Sequence, residues 1–317
     1  MAALICGVDV SSISLDARVG SQGAEARFEN NAQGVAGLIA FCQQHGVELV
    51  AMEATGGYEK LAFGLLWGSG IAVALLNPRA VRRFAQGMGW DEKTDRIDSG
   101  VIAWFAEVKK VTPTQPASAA QAQLEALVTR LRQLTELHAA QRNQRLLVSE
   151  AAVLDSFREL LALLKTQIRA LEKAIAELIA ADPLWQQLDQ AFRSIKGVAG
   201  RTVSRLMAEM PEIGTASNKA VSKLAGLAPL AKDSGKNQGK RVVRGGRSNV
   251  RTILYVVAGV VRRYDADFAA FYERLRAAGK PKRVIRVALA HKLLVRLNAK
   301  AREVRQQHAT GVCLATG

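Results

Sequence analysis

The stretch Ile5-Cys-Gly-Val-Asp-Val10, followed after a serine-rich turn by Leu-Asp-Ala-Arg-Val at residues 15–19, decides the fold of the first third of the chain. The first is a short apolar run and the second has apolar residues at positions 15, 17 and 19, which predicts two strands joined by a tight turn. Residues 25–28 extend the pattern to a third strand. Asp9 interrupts the first apolar run, and because an unpaired buried charge is costly, this position argues against an ordinary surface carboxylate.

Helices and strands alternate after this opening. Apolar residues at helical spacing predict a helix over residues 33–45, and a proline at position 78 is typical of a first helical turn. The other predicted elements are strands over residues 48–53 and 71–76 and helices from residue 58 and over 95–108. A strand meander followed by helix-strand alternation indicates a mixed α/β layered domain, which we assign to residues 1–112.

Four carboxylates of this domain occupy positions that suggest a shared site. Asp9 ends the first strand and Glu53 ends a later one, so the two meet at one sheet edge if those strands are neighbours. Asp95 and Asp98 are three residues apart, a spacing that places them on one face of a helix. Acids that converge without His or Cys form an all-oxygen site suited to Mg²⁺ or Mn²⁺, and two such ions are a standard device for phosphoryl transfer.

Residues 117–182 have a different composition. They lie between Pro116 and Pro183 and contain neither proline nor glycine. Leucine residues recur along them at intervals of three and four positions. This pattern predicts two amphipathic helices or one interrupted coiled coil. An intramolecular helical hairpin and an oligomerisation arm explain it equally well.

The excess positive charge of the chain, +16 over 317 residues, lies entirely in its last third. Residues 1–116 carry a net charge of −2 and residues 117–182 a net charge of zero, whereas residues 183–317 carry +18. Such a charge predicts a polyanionic partner, with nucleic acid as the first candidate and an anionic membrane surface as the second. Three separated cysteines exclude a disulfide scaffold and suit the cytoplasm, and no apolar run approaches the ~20 residues that span a bilayer.

The most basic part of this helical last third is the glycine-rich stretch of residues 232–251, where seven cations accompany one acid. Glycines let the backbone approach a phosphate closely, so we expect contact with nucleic-acid backbone. Ser248 precedes a helix predicted from Asn249, and capping that helix is the role expected of it. The candidate nucleic-acid-binding residues are Lys232, Lys236, Lys240, Arg241, Arg244, Arg247 and Arg251.

A family resemblance appears in the motifs that contain the acids. The strings Gly-Val-Asp9-Val-Ser, Met-Glu53-Ala-Thr-Gly-Gly-Tyr and Lys-Thr-Asp95-Arg-Ile-Asp98 resemble the DEDD motif of the insertion sequence 110 transposases, which include the Piv-type DNA invertases. The resemblance implies a RuvC-like, ribonuclease-H-like domain at residues 1–112. A coiled-coil-like helical segment at 117–182 and a mainly α transposase domain at 183–317 would follow it.

The same resemblance implies a mechanism. Asp9, Glu53, Asp95 and Asp98 would hold Mg²⁺, and Ser234 matches the family's nucleophile, which attacks DNA to form a phosphoserine link. The serine would come from another protomer of a dimer or tetramer. A structured noncoding bridge RNA would choose donor and target DNA. A prokaryotic, cytoplasmic protein associated with the nucleoid is implied.

Three other functions compete with this recombinase. A RuvC-like junction-resolving nuclease would use the four acids with water as nucleophile. An actin-like ATPase shares the opening strand-turn-strand but needs a second phosphate hairpin, which the basic helical region does not offer. A non-enzymatic RNA-binding protein would use the basic surface alone.

Overall fold

The computed structural model describes residues 4–89, 99–231, 239 and 241–315, with side chains up to residue 310. The chain divides into two compact units, Met1–Ala117 and Ser118–Gly317. The first is a mixed α/β unit and the second is mostly helical, which confirms the predicted class at this level. The finer division into three domains stays a prediction.

The first unit is built on one five-stranded sheet with the order β3-β2-β1-β4-β5. The first three strands are antiparallel, whereas β4 pairs in parallel with β1 on one side and with β5 on the other. All five lie where the sequence predicts strands. Their bounds are Ile5–Val10 (β1), Ser14–Val19 (β2), Glu25–Glu29 (β3), Leu49–Glu53 (β4) and Ala72–Leu76 (β5).

Helices cover both faces of this sheet. The first two pack with one buried cluster that includes Val8 and Leu38, and the next two pack with another that includes Ile5 and Ile102. Their starts follow local rules, since the Asn31 side chain caps the first and Pro78 opens the third. The bounds are Ala32–Gln44 (α1), Lys60–Gly68 (α2), Pro78–Gly87 (α3) and Ser99–Lys109 (α4).

The second unit begins with two long helices, α5 (Ala119–Arg145) and α6 (Ala151–Ala181). They pack on each other through buried residues that include Leu124, Leu134, Leu164 and Ile179. A five-residue link joins them, so the segment folds back as a helical hairpin. The described chain therefore forms the intramolecular helical hairpin. Oligomerisation through this segment stays a prediction.

One hydrophobic core runs from this hairpin through the remaining helices of the second unit. Phe192, Phe268 and Leu293 are fully buried in it. The buried Asn298 accepts a hydrogen bond from the backbone N–H of Gly214 and donates one to the backbone oxygen of Ala216, which holds this turn.

No helix in the described residues has the length and apolarity required to cross a bilayer. The elements are α7 (Pro183–Arg193), α8 (Gly200–Glu209), α9 (Asn218–Leu224), β6 (Pro229–Leu230), β7 (Val242–Val243), α10 (Ser248–Tyr264), α11 (Ala266–Ala277) and α12 (Lys282–Ala315).

Candidate active site

Asp9 and Glu53 come together at one edge of the sheet of the first unit. Their strands are parallel neighbours, and the register pairs Val8 with Met52, so the two acids follow as the next residues at the carboxyl ends. Side chains alternate along a strand, and both acids share the face of Ile5 and Ala51. The predicted meeting of these two carboxylates is therefore present in the structure.

This placement perturbs the Glu53 carboxyl group. Its Oε1 atom is buried and has no hydrogen-bond partner in the described residues. Burial raises the pKa of Glu53 above its ordinary value, and the negative charge of Asp9 raises that pKa further. An orphaned carboxylate oxygen beside a second carboxylate fits a divalent cation, because such an ion supplies both the missing partner and the opposite charge.

Helix α4 reaches the same edge by packing directly on Gly7. A Cβ atom placed at Gly7 would lie 1.9 Å from the backbone oxygen of Ser99 and 2.6 Å from the backbone nitrogen of Ala103. Only glycine allows this approach, which sets the first residue of α4 against β1, two positions before Asp9. The predicted ligands Asp95 and Asp98 lie outside the described residues.

Asn30 joins the two loops that leave the site. Its Nδ2 atom donates to the backbone oxygen of Ser11 at 2.7 Å and to that of Tyr58 at 3.0 Å. Its own backbone N–H donates to the oxygen of Ile13 at 2.8 Å. Ser11 follows Asp9 by two residues and Tyr58 follows Glu53 by five. The Asn30 side chain therefore links the loop after Asp9 to the loop after Glu53.

Glu59 fixes the loop after β4 from within. Its Oε2 atom accepts hydrogen bonds from the backbone N–H and hydroxyl of Thr55 at 3.1 and 2.7 Å, and from the N–H of Gly57 at 2.8 Å. Burial disfavours the charged form, but these bonds and the residue's own N–H lower the pKa of Glu59 below its ordinary value. Glu59 is not among the predicted site residues, although an acid four residues after Thr55 is a visible signal in the sequence for such a bond.

The described residues contain no group of three or more metal-ligating side chains. Two of the four predicted ligands fall outside those residues, so the four-carboxylate set remains a prediction. The described half of the set, Asp9 and Glu53, has the donor chemistry that a hard divalent cation requires.

The basic stretch is described in part. Ser234, Lys232, Lys236 and Lys240 lie outside the described residues, whereas Arg241 and Arg244 are exposed on the second unit. Arg251 donates to the backbone oxygen of Gly245 at 2.7 Å. A nucleic-acid role for these side chains stays a prediction.

Arg247 is held by a carboxylate of its own unit. Both of its terminal nitrogens contact Glu212 at 2.6 Å, and one also donates to the backbone oxygen of Glu209 at 2.9 Å. Burial opposes ionisation of Glu212, yet the Arg247 bonds keep the pKa of Glu212 below its ordinary value. This bidentate pair ties the start of α10 to the turn after α8.

The expected role of Ser248 is wrong. Helix α10 begins at Ser248 itself, and the residue at its N-cap is Arg247, which makes no side-chain cap bond. The helix thus starts one residue earlier than its sequence signal indicates, and the N-cap position is held by Arg247, whose side chain pairs with Glu212 instead of capping the helix.

Comparisons with known proteins agree with the motifs. A family model described as "Transposase", of the DEDD IS110 type, matches residues 6–155, and the model "Transposase IS116/IS110/IS902 family" matches residues 189–273. The chain is 28% identical over 315 residues to the pilin gene-inverting proteins of Moraxella lacunata and Moraxella bovis, covering 94% of this chain and 96% of theirs.

A third relative is an uncharacterized 43.6 kDa protein of insertion element IS110 from Streptomyces coelicolor. It is 29% identical over 198 residues, which cover 58% of this chain and 47% of that protein. The two family models together extend over both compact units, and the resemblance seen in the carboxylate motifs is confirmed. The chain belongs to the IS110 family of transposases and is a DNA recombinase enzyme of that family.

Proposed function

We propose that this protein breaks and rejoins DNA with Mg²⁺ held by Asp9, Glu53, Asp95 and Asp98. The observation that carries the proposal is the Glu53 carboxylate, which has a buried oxygen without a described partner and a raised pKa beside Asp9. Divalent cations bound there would neutralise phosphate oxygens and favour the ionised form of an attacking hydroxyl. Mn²⁺ offers the same chemistry.

The sheet order supports a ribonuclease-H-like, RuvC-like domain. Three antiparallel strands followed by parallel neighbours on the other side of β1 bring two acid-bearing strand ends together. We assign the catalytic carboxylates to this unit and the nucleophile to the basic unit, as the family resemblance implies.

Ser234 is the proposed nucleophile. Its Oγ atom would bond to the scissile phosphorus while the bond from phosphorus to one strand end breaks, and the departing oxygen would take up a proton. The resulting phosphoserine ester keeps the bond energy, so attack by the hydroxyl of a new strand end rejoins DNA without ATP. Nearby cations such as Arg241 and Arg244 would stabilise the charge that develops on phosphate.

The proposed partners are donor and target DNA, a structured noncoding bridge RNA and further copies of the chain, in the prokaryotic cytoplasm. Net charges of −2 before residue 117 and +18 after residue 182 support a division of labour between metal-binding carboxylates and a polyanion surface. Delegation of sequence choice to RNA is consistent with a basic surface that contacts phosphate.

A recombination assay with inverted or inserted reporter DNA tests this proposal. We expect Ser234→Ala and Glu53→Gln to abolish exchange, Ser234→Ala also to abolish a detergent-resistant protein-DNA adduct, and both to retain DNA binding. Ser248→Ala is the matched control, because it removes another hydroxyl from the same basic stretch.

Other outcomes would overturn the proposal in distinct ways. Cleavage that persists in Ser234→Ala with freely released ends indicates the junction-resolving nuclease with water as nucleophile. Full activity of an Asp9→Ala variant would remove the metal site from the mechanism altogether.

A further inference from the structure

The second unit contains an apolar cavity of about 880 Å³ between β6-β7, α11 and α12. Valine and phenylalanine side chains form much of its lining, among them Val242, Phe271, Val284 and Val287. Val284 is 51% exposed and Val242 44% exposed, so this apolar surface is open to solvent. A cavity of this size is in the range that holds a small organic ligand.

Cations surround this apolar lining. Arg241, Arg274, Arg283 and Lys292 all contribute to the cavity wall, and none of the described residues that line it is an Asp or Glu. The Arg274 guanidinium lies 5.1 Å and the Lys292 ammonium 4.9 Å from the Phe271 ring centre. Positive charge around an apolar interior is complementary to a ligand that is apolar in one part and anionic in another.

His291 adds a polar group to the same wall. Burial lowers the pKa of His291 below its ordinary value, which favours the neutral ring at physiological pH. A neutral imidazole has one donor and one acceptor nitrogen. It therefore matches the hydrogen-bonding edge of a heterocyclic base better than it matches a phosphate.

The cavity adjoins the stretch that contains the proposed nucleophile. Pro229 of β6 and Val242 of β7 both line it, and Ser234 falls between these paired strands in the sequence. Ser234 is five positions after Pro229 in the sequence, and five residues of extended chain span at most about 18 Å. A ligand in the cavity is thus within a few nucleotides of any phosphate that Ser234 attacks.

We propose that this cavity, formed by β6-β7, α11 and α12, binds one unpaired nucleotide of the DNA strand beside the scissile phosphate. The base would occupy the apolar interior next to Phe271, and the flanking phosphates would contact Arg274, Arg283 and Lys292. Removing a base from the stack costs less free energy where strands are already parted, as during exchange, than in an intact duplex. The inference rests on the proposed function, because it takes DNA as the ligand.

Short oligonucleotides test the cavity without requiring cleavage. The full-length protein is titrated at fixed salt with a fluorescently labelled abasic pentamer that carries a single thymine at its central position, and with the same pentamer lacking that thymine. We expect the missing base to weaken binding about tenfold in the wild type, the range typical of a base held by an apolar surface. In Val284→Asp this difference should shrink to twofold or less.

Val256→Asp is the matched control. Val256 is 49% exposed on α10 and does not line the cavity, so the variant adds the same charge to a similarly exposed valine of the same unit. Both pentamers contain the same phosphates, and the ratio of their affinities therefore cancels the general repulsion from the new carboxylate. The control should keep the tenfold ratio.

Two results would overturn the inference. Equal affinity of the wild type for both pentamers would show a phosphate-binding surface without a base site. Loss of self-association in Val284→Asp by light scattering, with the base dependence intact, would assign the cavity to contact between copies of the chain. Neither result depends on Ser234. The recombination assay with Ser234→Ala tests the proposed serine chemistry independently of the cavity, so failure of one proposal is distinguishable from failure of the other.

Discussion

Replacing Glu53 with glutamine should stabilise the metal-free protein at neutral pH while it removes activity. The wild-type carboxylate has a buried oxygen without a described partner and faces the charge of Asp9. Glutamine keeps the shape of the side chain and removes the charge, so both the repulsion and much of the desolvation cost disappear. A residue that only stabilised the fold would give the opposite result.

The magnitude follows from the spacing of paired strands. Neighbouring strands lie about 4.8 Å apart, so two carboxylates in register are about 5 Å apart. At that separation the repulsion is about 3 kcal/mol for an effective dielectric constant of 20 and about 0.8 kcal/mol in bulk water. Both side chains are half-buried, which places the expected gain at about 1–2 kcal/mol, or a few degrees in Tm.

The pH dependence has a defined sign. The folded-state pKa of Glu53 is raised, so its destabilising charge is absent below the unfolded pKa of about 4.3 and develops as the pH rises through the folded pKa. Thermal unfolding of wild type and Glu53→Gln should therefore coincide near pH 4 and diverge toward pH 8. Added Mg²⁺ should raise the wild-type Tm in a concentration-dependent way and leave the variant nearly unchanged.

Glu48→Gln provides the control, since Glu48 is an exposed carboxylate next to the other end of β4. Its effect should stay within about 0.5 kcal/mol at every pH, as for ordinary surface substitutions. A lower Tm of Glu53→Gln at pH 7.5 without metal would refute the reasoning, because it would show that the carboxylate has a stabilising partner in the fold.

Three further substitutions, two of them with a matched control, test the surroundings of the two sites. Gly7→Ala should lower stability by at least about 2 kcal/mol in chemical denaturation, because its Cβ atom would overlap backbone of α4, whereas Gly64→Ala, with open space around it, should raise stability by up to about 1 kcal/mol. Glu59→Gln should cost about 1–2 kcal/mol at pH 7 and nothing once acid protonates the wild-type carboxyl, and Mg²⁺ titration monitored by Tm should show weaker binding. Arg247→Ala should reduce stability by about 1 kcal/mol through its ion pair, whereas the exposed Arg244→Ala should leave the Tm unchanged and weaken DNA binding in a salt titration.

The first unit was predictable because its decisive features are local in sequence. An acid at the end of an apolar run marks Asp9 and again Glu53, and the alternation of strand side chains places both on one face. Only the adjacency of β1 and β4 had to be assumed, and the register supports it. The partners of Arg247 were not predictable in the same way, because Glu212 is 35 residues distant and its position depends on how α8 and α10 pack.

The pair of carboxylates needs a fold that resists their separation. Repulsion between Asp9 and Glu53 favours any movement that parts the ends of β1 and β4. Asn30 opposes that movement by bonding both following loops, and Glu59 fixes the loop after β4 with three further bonds. Because a hydrogen bond typically contributes about 1 kcal/mol, and one to a charged carboxylate such as that of Glu59 somewhat more, these five contacts are sufficient to offset a repulsion of 1–2 kcal/mol. The hydrogen bonds of Asn30 and Glu59 therefore help to keep the two carboxylates close together, as the proposed metal site requires.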